Sequence, residues 1–135
     1  MHIRIVRIIL SSLNYEIINF EAKELEINLN ISVSNQFPKE NELIQHINFD
    51  LFHEIENPPF KLDFTFIGHY SSEGEGTPTI QEFSKIHAPA YIVPYARELV
   101  ANITSRMGIY PPLVMPPLNI AEALKEPKDE NTTKS

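Results

Sequence analysis

The chain contains no cysteine, which rules out a disulfide framework and any thiolate-held metal. It has no apolar run approaching the roughly 18 residues that a membrane-spanning helix requires. The opening stretch, MHIRIVRIIL, comes nearest, but Arg4 and Arg7 interrupt it and no small-residue cleavage site follows. A signal peptide is therefore not expected, and the chain reads as cytoplasmic. In that setting the Asn-x-Ser/Thr triplets at Asn30, Asn102 and Asn131 carry no meaning. Basic charge is also scarce: 11 lysines and arginines face 18 acids, for a net charge of −7. No window supplies the basic stripe with which a protein displaces counterions from phosphate, so nucleic acid is not an expected partner. Only four glycines are present, and there is no G-x-S-x-G elbow, Walker loop or nucleotide fingerprint. What is plentiful is apolar residues, at 42% of 135. That is too many for a disordered chain and suits one domain with a modest core. The acidic balance keeps such a protein soluble while it carries apolar surface.

The first half reads as strands. Leu25, Ile27, Leu29, Ile31 and Val33 alternate with Glu26, Asn28, Asn30, Ser32 and Ser34, a period of two with one apolar and one wet face. Phe37 to Asn41 reads as a turn. A second run sets Leu43, Ile47, Phe49, Leu51 and Ile55 against His46, Asn48, Asp50 and Glu54, and Asn57-Pro58-Pro59 ends it. Phe60, Leu62, Phe64 and Phe66 then alternate with Lys61, Asp63 and Thr65 as far as Gly68. With Ile3 to Tyr15, whose alternation is poor, these make four strands. Their short links imply antiparallel neighbours, since parallel pairs need long crossovers.

The polar loop SSEGEGTPT, Ser71 to Thr79, separates strands from helices. A short helical turn is expected from Ile80 to Ile86. Ile92, Ala96, Leu99, Val100, Ile103 and Met107 then form one helical stripe, with Arg97, Glu98, Ser105 and Arg106 off it. Pro94 suits this helix in its first turn, which places the start near Val93, and Gly108 is a stop signal. The next stretch, IYPPLVMPPLNI, has two proline pairs that forbid helix, yet its other residues are apolar. Two readings stay open for Leu113, Val114 and Met115: they pin a connector to the sheet, or they line an exposed groove. Asn119 is placed to cap a closing helix through Leu124, and Lys125 to Ser135 is a polar tail.

No catalytic constellation stands out. His53-Glu54 begins like the zinc motif H-E-x-x-H, but Asn57 fills the second ligand position. Gly74-Glu75-Gly76 is flanked by acids, which oppose phosphate. Asp50 and Asp63 are paired-carboxylate candidates, though acids on the wet face of a strand are ordinarily solvated charge. Neither enzyme chemistry nor a cofactor is expected.

The stretch from Ala88 to Leu124 resembles the C-terminal half of the SecB family of protein-export chaperones. The likeness rests on the helix start Pro94-Tyr95-Ala96-Arg97-Glu98, the helix end Ser105-Arg106-Met107-Gly108, and the apolar connector ending in Pro117-Leu118-Asn119-Ile120. Arg7-Ile8 through Leu13-Asn14-Tyr15-Glu16 is similar to the family's first strand, and Phe60 to Tyr70 to its fourth. The resemblance implies an α+β fold, a four-stranded antiparallel sheet with two helices packed on one face. On this reading residues 1–126 form the domain and 127–135 a disordered polar tail. It further implies a homotetramer, a dimer of dimers with helices sandwiched between sheets. Such a protein holds unfolded precursors without nucleotide and delivers them to the SecA motor. The client groove would comprise Ile27, Leu29, Ile31, Tyr110, Leu113, Val114 and Met115. Leu62, Phe64 and Phe66 match positions that support tetramer packing. Two of the family's SecA-docking acids map to Glu16 and Asp63, whereas a third falls on Ser12 and a neighbouring leucine becomes Lys61. The tail EPKDENTTKS lacks the cysteines and basic character of the family's zinc-held SecA contact. An alternative follows from these departures: some SecB-like proteins are dedicated to the antitoxin of a toxin–antitoxin module and are not coupled to SecA.

Overall fold

A computed structural model describes residues 2–19, 27–74, 76, 78–108 and 113–115. Tyr110, the expected closing helix from Asn119 and the polar tail lie outside the described residues. The described elements are strands β1 (His2–Ile17), β2 (Asn30–Gln36), β3 (Glu42–Asp50) and β4 (Phe60–Glu73), then helices α1 (Ile80–Lys85) and α2 (His87–Arg106). The strands form one sheet in the order β1-β4-β3-β2, with every neighbouring pair antiparallel. Short links join neighbours from β2 to β4, as the sequence implies. The first link does not, for β1 lies beside β4 and the chain crosses to the opposite edge before β2, a Greek-key arrangement.

The poor alternation of the first strand has a specific cause. Register shifts occur between Ile5 and Arg7 and between Leu10 and Ser12, so Val6 and Ser11 are extra residues relative to β4. Each extra residue moves the following side chains to the other face. Apolar residues at 3 and 5, at 8 and 10, and at 13, 15 and 17 therefore share one face. They lie across from Ser72, Tyr70, Gly68, Phe66, Phe64, Leu62 and Phe60.

The sheet buries the face that carries the helices. Along β3, Leu43, Gln45, Ile47 and Phe49 are buried, and along β4 so are Phe60, Leu62, Phe64, Phe66 and Tyr70. The phenylalanines pack in pairs: Phe49 stacks on Phe64 at 5.1 Å between ring centres, and Phe52 meets Phe60 edge-on at 4.8 Å. The opposite face carries Glu42, His46, Asn48 and Asp50 on β3 and Lys61, Asp63 and Thr65 on β4, none of them fully buried. Strand β4 continues past Gly68 because Tyr70 folds back over that glycine. A Cβ there would lie 2.6 Å from the Tyr70 hydroxyl. By contrast β3 stops at Asp50, and Glu54 and Asn57 adopt positive φ in the turn that follows.

Helix α1 starts with a reciprocal cap. The Thr79 hydroxyl accepts from the Glu82 amide at 3.1 Å, and the Glu82 carboxylate accepts from the Thr79 amide at 2.8 Å. These hydrogen bonds hold the Glu82 carboxyl below its ordinary range, with Lys85 adding a smaller pull. The helix docks through Ile80 and Phe83 against Leu43 and Tyr70. It is tied down by buried Gln45, whose amide donates to the Ser84 carbonyl and to the Asn35 side chain, both at 2.8 Å.

Helix α2 begins at His87, six residues before the start the prolines imply, so Pro94 sits in its interior. Pro89 occupies the first turn instead, where a missing N–H costs nothing. The early start is anchored by buried Ala88, whose carbonyl accepts from the Tyr70 hydroxyl at 3.3 Å. Pro94 leaves the Ala90 carbonyl without its donor one turn on. Both residues are exposed, so water serves the freed group. The stripe Ile92, Ala96, Val100 and Ile103 is buried, and Gly108 follows the helix with φ 83°. No helix among the described residues is long and apolar enough to cross a membrane.

Leu62, Phe64 and Phe66 are 1%, 0% and 6% exposed, within the main core beneath α2. They have no surface to offer a second copy. This corrects their placement at an oligomer interface: their alternation faces them toward the chain's own helix. Phe64→Ala is expected to cost about 3–5 kcal/mol, the range for deleting a buried aromatic. Denaturant unfolding should show it as loss of the fold itself. If the folded chain merely dissociated, the interface placement would be restored.

Candidate functional site

At the β2 edge the core does not close completely. Ile31 and Val33 are buried, but Ile27 and Leu29, just before β2, are only partly so. Ile55 beyond β3, Leu99 and Met107 on α2, and Leu113 also pack on the core while keeping exposed surface. These residues come from four separate chain segments and make up the half-buried rim of that core, and Ile8 on β1 is half-buried against the same core.

Each segment has its own anchor. Asn28 clasps the turn after β3: its amide N–H donates to the Leu51 carbonyl at 3.0 Å, and its side chain donates to the His53 carbonyl at 2.8 Å. The His53 N–H returns to the Asn28 carbonyl at 3.2 Å. The turn closes on itself through the Phe52 N–H, which donates to the Asp50 carboxylate at 3.3 Å. Thr104 holds the connector. Its buried hydroxyl donates to the Val100 carbonyl at 2.8 Å and accepts from the Leu113 N–H at 2.9 Å. That bond sets the segment 113–115 beside the last turns of α2. Met115 then enters the core at 1% exposure, Leu113 is half-buried, and Val114 points outward at 63%.

The three connector side chains differ in burial. Met115 pins it, and Leu113 and Val114 keep apolar surface. Of the residues proposed for a groove, the structure gathers Ile27, Leu29 and Leu113 on the rim and leaves Val114 beside it. Ile31 and Met115 form the floor. Sequence reasoning missed Phe52 and Thr104. Thr104 was visible as the one polar residue on the buried side of the helical stripe, one turn after Val100.

The acids sit elsewhere. Glu16 lies across from Lys61, and Asp63 lies between Asn14 and Asp50 on the face without helices. Burial pushes the Asp63 carboxyl up, and Asp50 adds to the shift. Lys61 and a hydrogen bond from Asn14 oppose it. Asp50 also approaches His53 at 3.5 Å, but no cluster that could hold a metal ion occurs among the described residues. The site's chemistry is thus contact chemistry: apolar side chains fixed by hydrogen-bonded backbone, with polar groups kept to its margins.

Comparisons with known proteins agree with this architecture. A solved structure of the Mycobacterium tuberculosis SecB-like chaperone Rv1957, in complex with a ChAD peptide from the Rv1956 HigA1 antitoxin, superposes with a TM-score of 0.65. The two share 18% identity over 86% of this chain and 90% of that one. A protein of unknown function from Streptococcus agalactiae superposes with a TM-score of 0.57 at 12% identity, over 86% of this chain and 98% of that one. No curated protein matches the chain by sequence. The family model for the preprotein translocase subunit SecB matches residues 5–130, a span that holds the sheet except the first three residues of β1, both helices and the rim, and the chain belongs to the SecB family.

Proposed function

We propose that the protein is a nucleotide-independent holdase that keeps unfolded precursor proteins competent for Sec-dependent export. The observation that carries this reading is the half-buried rim of Ile27, Leu29, Ile55, Met107 and Leu113, with Val114 beside it. A folded core normally buries such residues or leaves them scattered. An apolar margin with a hydrogen-bonded frame suits extended client segments, which bury apolar side chains without a pocket of fixed shape. Membership of the SecB family supports the same reading.

A second reading has its own support. The M. tuberculosis relative was solved with an antitoxin peptide, and Ser12 and Lys61 stand where the family's docking surface has an acid and a leucine. A chaperone dedicated to an antitoxin would not need that surface. Binding of the cognate SecA separates the two readings.

The working form is a homotetramer, four copies of the 15.5 kDa chain or about 62 kDa. Support comes from β1, where Ile5, Leu10, Leu13, Tyr15 and Ile17 stay exposed on the helix-bearing face. Light scattering at micromolar concentration is expected to give that mass; a stable monomer would defeat the assembly.

Holding is tested with a chemically unfolded client and no ATP. Leu113→Asp combined with Val114→Asp should raise the amount of chaperone needed to suppress aggregation at least tenfold, with the oligomer intact. Met115 is unsuitable for this test, because an acid at a buried position would attack the fold. Unchanged holding in the double variant would make the connector mere packing.

For SecA, contact through Glu16 and Asp63 is expected to be weak and to fade with salt, since exposed ion pairs are worth about 0.2–1 kcal/mol. Asp63 also carries a pH signature. Its raised carboxyl pKa means that ionising it disfavours the fold, so its stability contribution is best at low pH and falls as pH rises through the carboxylate range. Asp63→Asn should therefore raise Tm at neutral pH, lose that advantage in acid, and weaken SecA binding. A variant less stable than wild type at neutral pH would contradict this account.

A further inference from the structure

We infer that Thr104 is the positioning residue of the client site, selecting one connector register from the few that the flanking proline pairs leave open. The inference rests on the holdase reading above and names the residue that decides which apolar side chains that site displays.

Thr104 is fully buried on the side of α2 that carries Val100 and Ile103, where an apolar side chain is the ordinary occupant. A hydroxyl in such a place needs partners. It finds the Val100 carbonyl at 2.8 Å, with the Ala101 carbonyl at 3.3 Å as a weaker second. A hydroxyl has one proton to donate, and these two carbonyls claim it. Thr104 therefore offers the connector an acceptor only, which the Leu113 N–H fills at 2.9 Å. A connector carbonyl in the same place would find no donor. The helix thus asks for a backbone N–H.

The connector has few to give. From Pro111 to Pro117 the sequence reads PPLVMPP, and its four prolines have no amide proton. Leu113, Val114 and Met115 own the only N–H groups in that stretch. The choice among them has consequences, because the three side chains meet different fates. Leu113 is half-buried, Val114 is exposed, and Met115 sits in the main core. Engaging the Val114 N–H instead would slide the segment by one residue. That slip would carry Met115 off its seat and set different side chains beside the rim. Apolar contact alone does not choose between registers, since it is non-directional, whereas a hydrogen bond to one acceptor does. Thr104 is buried away from any client, so it acts through Leu113 and Val114.

The absence of cysteine makes the register directly readable. In the full-length protein Val114→Cys should react freely with a thiol reagent, and Met115→Cys should be protected. Adding Thr104→Val swaps the hydroxyl for a methyl of similar size and leaves the Leu113 N–H without its acceptor. Protection at position 115 should then fall roughly fivefold or more, the scale of one unsatisfied buried donor. With the connector otherwise native, Thr104→Val should raise the chaperone needed to hold an unfolded client at least about threefold. Thr104→Ser keeps the hydroxyl and should restore both readings. Should Met115→Cys fail to fold, hydrogen exchange of the connector backbone in Thr104→Val and Thr104→Ser reads the same bond with Met115 in place. Protection or exchange unchanged by Thr104→Val would overturn the register lock. Lost protection with holding unchanged would overturn its role at the client site. Wild-type protein that holds no client would instead defeat the holdase reading, while the labelling comparison still decides the lock.

Discussion

A single layer of helix is too narrow for this sheet. Four strands spaced about 4.8 Å apart present a face nearly 20 Å wide, while a helix with its side chains covers about 10–12 Å. Helix α2 lies over β3 and β4, where the stripe from Ile92 to Ile103 closes the aromatic core. Helix α1, only six residues long, covers the end at Leu43 and Tyr70. The apolar face therefore emerges on both flanks of α2, along β1 on one side and around Leu29 and Leu113 on the other. Both of the surfaces given a functional role above follow from that shortfall.

The two flanks differ in how they are built, and the difference suits different occupants. On the β1 side, the apolar side chains lie along an edge with which no strand among the described residues pairs, beside a fixed charge pattern. Such a surface rewards one strand in one register, because backbone pairing is directional and like charges in the wrong register repel. At the rim, the backbone of Asn28, His53 and Leu113 is already committed to internal hydrogen bonds. What remains is side-chain surface, which is non-directional and tolerates many sequences. The proposed assembly and the proposed holding would thus draw on different parts of the same uncovered face.

How much of this was legible in the sequence depended on whether local pattern and tertiary setting agreed. The runs of β2, β3 and β4 alternate cleanly, and their buried faces could be read directly. The apolar set of β1 was present but hidden, because Val6 and Ser11 each shift the phase and a bulge is defined only against a partner strand. The order β1-β4-β3-β2 was not legible either, since alternation says which face is wet and not which neighbour pairs. Pro94 misled for a physical reason. Its usual place is a first turn, but at an exposed site in a helix already anchored by Ala88 the lost hydrogen bond goes to water. The Thr79–Glu82 cap, by contrast, lay in plain view in the Thr-Ile-Gln-Glu spacing.

The rim itself was only half legible. Alternation marked Ile27, Leu29 and Ile31 as one face, and the proline pairs marked the connector as extended, but neither told which connector side chain turns inward. One hydrogen bond decides that. With Thr104 holding the Leu113 N–H, the next two residues alternate outward and inward, placing Val114 in water and Met115 in the core. A hydroxyl on the buried side of a helix, where nothing else polar is near, is satisfied by the backbone one turn back and by whatever chain passes over it. Here that chain is the connector, so the residue least like its apolar neighbours sets which apolar surface the molecule shows.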